Sequence, residues 1–145
     1  MKKHPFHIET NHEPEAKDLE ALRTGLRTYN RSHVPLVGYS EFAVFARDPD
    51  RQIVGGVVAE TGHGWLHIST AWVDEQERGM GLGRQLLAAA EQEGRRQGCH
   101  SVYLDTFSFQ ARPFYERLGY EVFGVLENYP DGHQRYFLRK ALASG

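Results

Sequence analysis

A mixed α/β fold, with a mostly antiparallel sheet of about seven strands and helices on both faces, is the architecture this sequence predicts. Three observations carry it. Short β-rich runs bounded by turn residues occupy both ends of the chain. Between about Gly81 and Gln97 the apolar residues recur at helical spacing instead. A strand stands on each side of that helix, which implies a parallel crossover in the middle with antiparallel meanders flanking it.

Each element has its own signal. Residues 4–10, HPFHIET, alternate loosely and read as a first strand. From Pro14 to about Ser32, Ala16, Leu19, Leu22, Leu26 and Tyr29 recur at helical spacing, and Pro14 suits a first turn. Gly25 is a point where this segment could divide into two helices. VPLVGYS then reads as a loop. EFAVFAR (41–47) and IVGGVVAE (53–60), joined by DPDRQ, form a hairpin signature. TGHG (61–64) turns the chain into WLHISTAWV (65–73), the fourth strand. Leu82, Leu86, Leu87, Ala90 and Gly94 mark the central helix, which stops at Gly98 as a C-terminal glycine requires. SVYLDTF (101–107) is a short buried strand, the fifth. ARPFYERLGY (111–120) is a short helix closed by Gly119. EVFGVLE (121–127), the turn NYPDGH and QRYFLRKAL (134–142) make a closing hairpin. With no repeat, low-complexity tract or linker, residues 1–145 are expected to form a single domain.

Composition narrows the function classes. A net charge of −2 with both signs interspersed gives no case for nucleic acid. It is compatible with a cationic substrate such as an amine. No apolar run approaches the roughly 20 residues of a membrane span, so no membrane partner is expected. The opening MKKHPFHIETNHEPE has two lysines with no apolar stretch behind them, unlike a signal peptide. Cys99 is the only cysteine, which suits a reducing compartment. A cytoplasmic protein is the expectation. Eight histidines show no H-E-x-x-H spacing and there is no C-x-x-C, so no metal is expected. Cys99 itself reads as a buried thiol.

The chemistry gathers at RGMGLGR (78–84), which follows a strand and opens a helix. Orphan N–H groups and the macrodipole favour an anion there. Gly79, Gly81 and Gly83 would let a ligand approach the backbone, and Arg78 and Arg84 add charge for phosphates. A flexible turn is the plain alternative. A P-loop would need a lysine followed by a hydroxyl, which are missing. A dinucleotide fingerprint fails because Arg84 occupies its third glycine, and Cys99 and His100 stand where an acidic residue is wanted.

What fits is R-x-x-G-x-G, on Arg78, Gly81 and Gly83, and this resembles the loop of the GNAT (GCN5-related N-acetyltransferase) superfamily. ARPFYERLGY resembles that family's second signature, a helix carrying FYEKLGF, and the two motifs span residues 65–120. The compact bacterial single-domain members are the nearest in character. The resemblance implies acetyl-CoA as cosubstrate, direct attack by a primary amine in a ternary complex, and room for a homodimer. It implies that the fourth and fifth strands splay apart to admit the pantetheine arm. Backbone of Ala71, Trp72 and Val73 would then pair with the pantetheine and stabilise an oxyanion. Main-chain N–H groups of Met80, Gly81, Leu82, Gly83 and Arg84, beside Arg78 and Gly79, would bind the pyrophosphate.

Tyr115 falls on the tyrosine that protonates the departing thiolate in many members, a proton transfer suited to a phenol. Its plain alternative is a core tyrosine beside Phe114 and Leu118. Ser108 stands where the family often has an asparagine that contacts pantetheine. For the base, His67 is the candidate, with a water relay, Glu60, Glu75 and Asp105 as alternatives. Period-two alternation would put His67, Ser69 and Ala71 on one face. The resemblance places acceptor selection at Tyr29, His33 and Tyr39 and in the last hairpin at Tyr129, His133 and Tyr136. Aromatic side chains there could hold an ammonium by cation–π contact. A non-catalytic acyl-CoA sensor and a transferase using another acyl donor are the competing readings.

Overall fold

The computed structural model describes residues 5–35 and 39–143. The chain divides into two compact units, residues 1–36 and 37–145.

The N-terminal unit holds α1 (Ala16–Arg31), one continuous helix through Gly25. Asp18 in its first turn and Arg31 in its last complement the helix dipole. Residues 5–11 form no strand, so the expected first strand is absent among the described residues. Alternation alone does not make a strand, because its backbone groups need a partner. His4 and residues 36–38 of the expected loop lie outside the described residues.

The body carries six strands in one sheet. Its elements are β1 (Ser40–Arg47), β2 (Ile53–Gly62), β3 (Trp65–Val73), α2 (Leu82–Arg96), β4 (Ser101–Phe107), α3 (Arg112–Arg117), β5 (Glu121–Glu127) and β6 (Gln134–Ala141). The sheet order is β1-β2-β3-β4-β6-β5, and every pairing is antiparallel except β3 with β4. The strand–helix–strand unit around α2 therefore supplies the one parallel pair. Expected and observed bounds agree within about three residues for these elements, which are set by local turn chemistry. Asp48 and Gln52 close the first hairpin with a 2.9 Å backbone bond, and Arg51 takes φ 69°.

One face of the sheet is buried. Val57, Ala59, Leu66, Ile68, Val102, Leu104 and Leu138 pack beneath Leu86, Leu87 and Ala90 of α2, with Tyr115 and Tyr120 from α3 and the residues after it. Leu66 lies against Gly94, where an added Cβ would meet its Cδ2 at 3.0 Å. The helix and sheet are that close because position 94 has no side chain.

Candidate functional site

β3 and β4 begin as neighbours and then part. Their register runs from Trp65↔Ser101 to Ile68↔Leu104 and stops, although β3 continues to Val73 and β4 to Phe107. Their outer edges stay paired, β3 with β2 as far as Val73 and β4 with β6 as far as Phe107. Only the two edges facing each other are left open. Into this gap runs a cleft of about 1000 Å³. Its walls include Ile68 to Val73 from β3, Leu104 to Phe107 from β4, the 77–84 segment apart from Met80, Phe114, Tyr115 and Leu118.

The glycine segment forms one end of the cleft. A turn of 3₁₀ helix, Glu75–Glu77, precedes it, capped by Asp74 Oδ1, which accepts from the Gln76 N–H at 2.9 Å. Gly79 and Gly81 have φ of 84° and 82°, the left-handed region that favours glycine. Gly81 is the N-cap of α2, and the first intrahelical bond is Gln85 N–H to Gly81 O at 3.1 Å. The N–H groups of Leu82, Gly83 and Arg84 thus have no acceptor in the helix and point out of its start. A Cβ at Gly79 or Gly81 would meet nothing within 4 Å, so the room around this turn is open. Arg78 turns back and donates from Nε to Val73 O at 3.0 Å, tying the loop to the end of β3. Met80 is 67% exposed and its side chain does not line the cleft, unlike Arg78, Gly79, Gly81, Leu82, Gly83 and Arg84.

Tyr115 comes from the second turn of α3, which begins with Pro113 in its first turn. The ring is 8% exposed, packed edge-on against Phe114 and Tyr120, and lines the cleft. Burial pushes the phenol above its usual range, and the Asp105 carboxylate adds to this. The group is therefore a firmly protonated hydroxyl at one wall of the gap.

The alternation argument for β3 fails at Ser69. Val58 pairs with Thr70 and Ala59 with Ile68, so Ser69 is an extra residue, a β-bulge. Beyond it the faces exchange. Ala71 lies opposite buried Val57, on the face of Ile68, whereas His67 lies opposite Glu60 on the other face. His67 and Ala71 do not share a face, and His67 is not among the residues lining the cleft. Its Nδ1 bonds Glu60 Oε1 at 2.9 Å, and its ring stacks on Tyr103 at 4.4 Å. Tyr39 donates to the second oxygen, Oε2, at 3.0 Å. The Glu60 carboxyl is held below the usual carboxylate range, chiefly by His67 and then by Tyr39. Two more carboxylates were candidates for the base: Glu75 lies in the 3₁₀ turn, while Asp105 lines the cleft.

The remaining expected residues fall in three places. Tyr29 and His33 belong to the N-terminal unit, their rings 4.7 Å apart. Tyr136 is 9% exposed, on the face that carries α2, under the Arg112 guanidinium at 4.5 Å. It does not join the hairpin aromatics. Tyr129 and His133 sit in the β5–β6 turn, next to the loop that leads into α3. Ser108 is the tie between them. It bonds His133 Nδ1 at 3.1 Å, and its hydroxyl accepts the Gln134 N–H at 3.0 Å. Phe109 meets His133 edge-on at 5.0 Å, and Phe107 meets Tyr129 at 5.5 Å. Sequence reasoning passed over Tyr103 and Arg135. The period-two spacing of Tyr103 with Asp105 was the available signal for the first; Arg135 had none.

Comparison with known proteins follows the same lines. Residues 8–120 match the model of the acetyltransferase (GNAT) family. The chain is 37% identical over 123 residues to blasticidin-S acetyltransferase from Streptomyces morookaense, covering 84% of this chain and 88% of that one. It is 33% identical over 126 residues to the acetyltransferase Atu2258 of Agrobacterium fabrum, covering 87% and 92%. A crystal structure of an acetyltransferase from Bacillus cereus superposes with a TM-score of 0.88 at 34% identity, over 94% of this chain and 98% of that one.

Proposed function

The chain belongs to the GNAT family of acetyltransferases and is an N-acetyltransferase, and from that premise we propose that it moves the acetyl group of acetyl-CoA to a primary amine by direct attack. The reading takes residues 1–145 as one acetyltransferase domain. The observation that supports it best is the parting of β3 from β4 beyond Ile68 and Leu104, which opens a cleft between the glycine turn and Tyr115.

Acetyl-CoA supplies an activated acyl thioester. The N–H groups of Leu82 to Arg84, with Gly79 and Gly81 shaping the turn, would take its pyrophosphate at the start of α2. The open edge of β3 at Ala71, Trp72 and Val73 would hold the pantetheine amides as a strand would. As the amine nitrogen bonds the acyl carbon and the C–S bond breaks, the thiolate takes the Tyr115 proton. The proton released by the attacking nitrogen passes through water to solvent, which restores the Tyr115 proton. His67, which does not line the cleft, can take it only through that water relay. The acceptor is a small molecule, in keeping with the antibiotic named for one relative.

A screen of amines that follows free CoA release tests this. Tyr115→Phe should lose most of the rate while binding CoA with unchanged affinity. If wild-type protein releases no CoA with any amine or acyl donor while still binding CoA, the chain is a sensor and the reading is wrong.

A further inference from the structure

Asp105 and Arg135 form an ion pair that the transfer scheme leaves unused. Asp105 Oδ2 accepts from Arg135 Nε at 2.7 Å, with the two side chains 24% and 26% exposed. The guanidinium lies 5.0 Å from the Tyr129 ring centroid, 5.2 Å from that of Phe137 and 5.5 Å from that of Phe107. It also donates to the Tyr129 hydroxyl at 3.0 Å. These contacts fix Arg135, and through it one oxygen of Asp105. The other oxygen has no hydrogen-bond partner among the described residues.

Where that oxygen stands gives it a use. Asp105 is the first residue of β4 beyond the last β3–β4 pair, and it lines the cleft. It alternates with Leu104 and Thr106, so it belongs to the sheet face opposite α2, and the cleft passes through the sheet at its level. The ionisable groups around it come from five elements and the β5–β6 turn. Arg135 faces it from β6, backed by Tyr129 from the β5–β6 turn. Tyr115 of α3 is near enough to feel its charge. Tyr103 precedes it on β4 and lies opposite His67 of β3, which is bonded to Glu60 of β2. Arg135 is the one permanent cation of this set.

We infer that Asp105 orients the acceptor, its free oxygen accepting N–H groups of a cationic amine that enters from the face opposite α2, and that Arg135 is the positioning residue that keeps it aimed. The inference rests on the acetyl-transfer reading. A carboxylate there draws an ammonium toward the open gap and fixes the direction of its nitrogen. It also opposes ionisation of Tyr115 and so preserves the hydroxyl proton for the thiolate.

The test uses the full chain with acetyl-CoA and the best acceptor among tryptamine, spermidine, kanamycin and blasticidin S. Asp105→Asn should raise the amine KM at least tenfold, with kcat within threefold and CoA affinity within twofold of wild type. Arg135→Gln should raise the amine KM at least fivefold with kcat within threefold, because Asp105 loses the bond that aims it. Arg135→Lys should bring the amine KM most of the way back, a rescue that a purely structural role would not predict. If Asp105→Asn fails to fold by circular dichroism, the comparison of Arg135→Gln with Arg135→Lys still decides. An unchanged amine KM in folded Asp105→Asn, or in Arg135→Gln, overturns the inference while leaving acetyl transfer intact. Wild-type protein that binds CoA but releases none with any amine or acyl donor overturns acetyl transfer, and this inference with it.

Discussion

Tyr115 holds its proton more firmly than a free phenol, mainly because burial disfavours the phenolate and also because Asp105 is near. An acid must be protonated to act, so raising its pKa extends the active range upward. The kcat profile should show no descending limb from this group below pH 10, the ordinary value. Tyr115→Phe should lower kcat about 100-fold with the CoA Kd unchanged, read by CoA release and calorimetry. Gly81 has a different constraint. Its φ of 82° strains any L side chain, yet a Cβ would strike nothing. Gly81→Ala should therefore cost about 1 kcal/mol by chemical denaturation, a purely conformational loss. Both positions were legible as motif residues, since spacing along the chain was enough. The Asp105–Arg135 pair was not, because its partners lie 30 residues apart. An arginine in QRYFLRK looks the same whether it faces water or a carboxylate.

Among the elements, the strand and helix bounds of the body follow from turns and glycine stops that any short window shows. The bulge at Ser69 does not, because WLHISTAWV alternates acceptably in either phase and only the partner strand β2 chooses. Its effect is large, since it moves Ala71 to the face that carries α2 and leaves His67 on the other. The first strand failed for the complementary reason, being a pattern without a neighbour. How α2 is fastened to β6 was also invisible. Glu91, 5% exposed on α2, takes Lys140 Nζ at 2.9 Å and the Tyr120 hydroxyl at 2.7 Å. That hydroxyl is pushed far above its usual range, first by burial and then by the Glu91 charge. Lys140→Met would leave the buried carboxylate with only the more distant Arg95, at 3.8 Å, and should cost about 3 kcal/mol. Adding Glu91→Gln should recover part of the loss, as urea melts of the single and double variants would show.

For the molecule as a whole, the parallel crossover between flanking meanders and the family were legible from two motifs and a change of period, while the place of β6 between β4 and β5 was not. The edges left open between β3 and β4 followed only from the family resemblance. Acetyl-CoA should raise the melting temperature, by an amount equivalent to about 2.7 kcal/mol at 100 times its Kd. A scan without such a rise would contradict a CoA site. The divergence of β3 from β4 has a further consequence for cooperativity. The sheet is two three-stranded leaves, β1-β2-β3 and β4-β6-β5, hinged on only the four residue pairs from Trp65↔Ser101 to Ile68↔Leu104. Each leaf can open with its own free energy, so deuterium uptake in the empty protein should proceed in two separate phases. A pantetheine arm bridging the open edges would replace the missing ladder. Slowed exchange at Ala71–Val73, with the two phases merging into one, would show the ligand acting as the seventh strand.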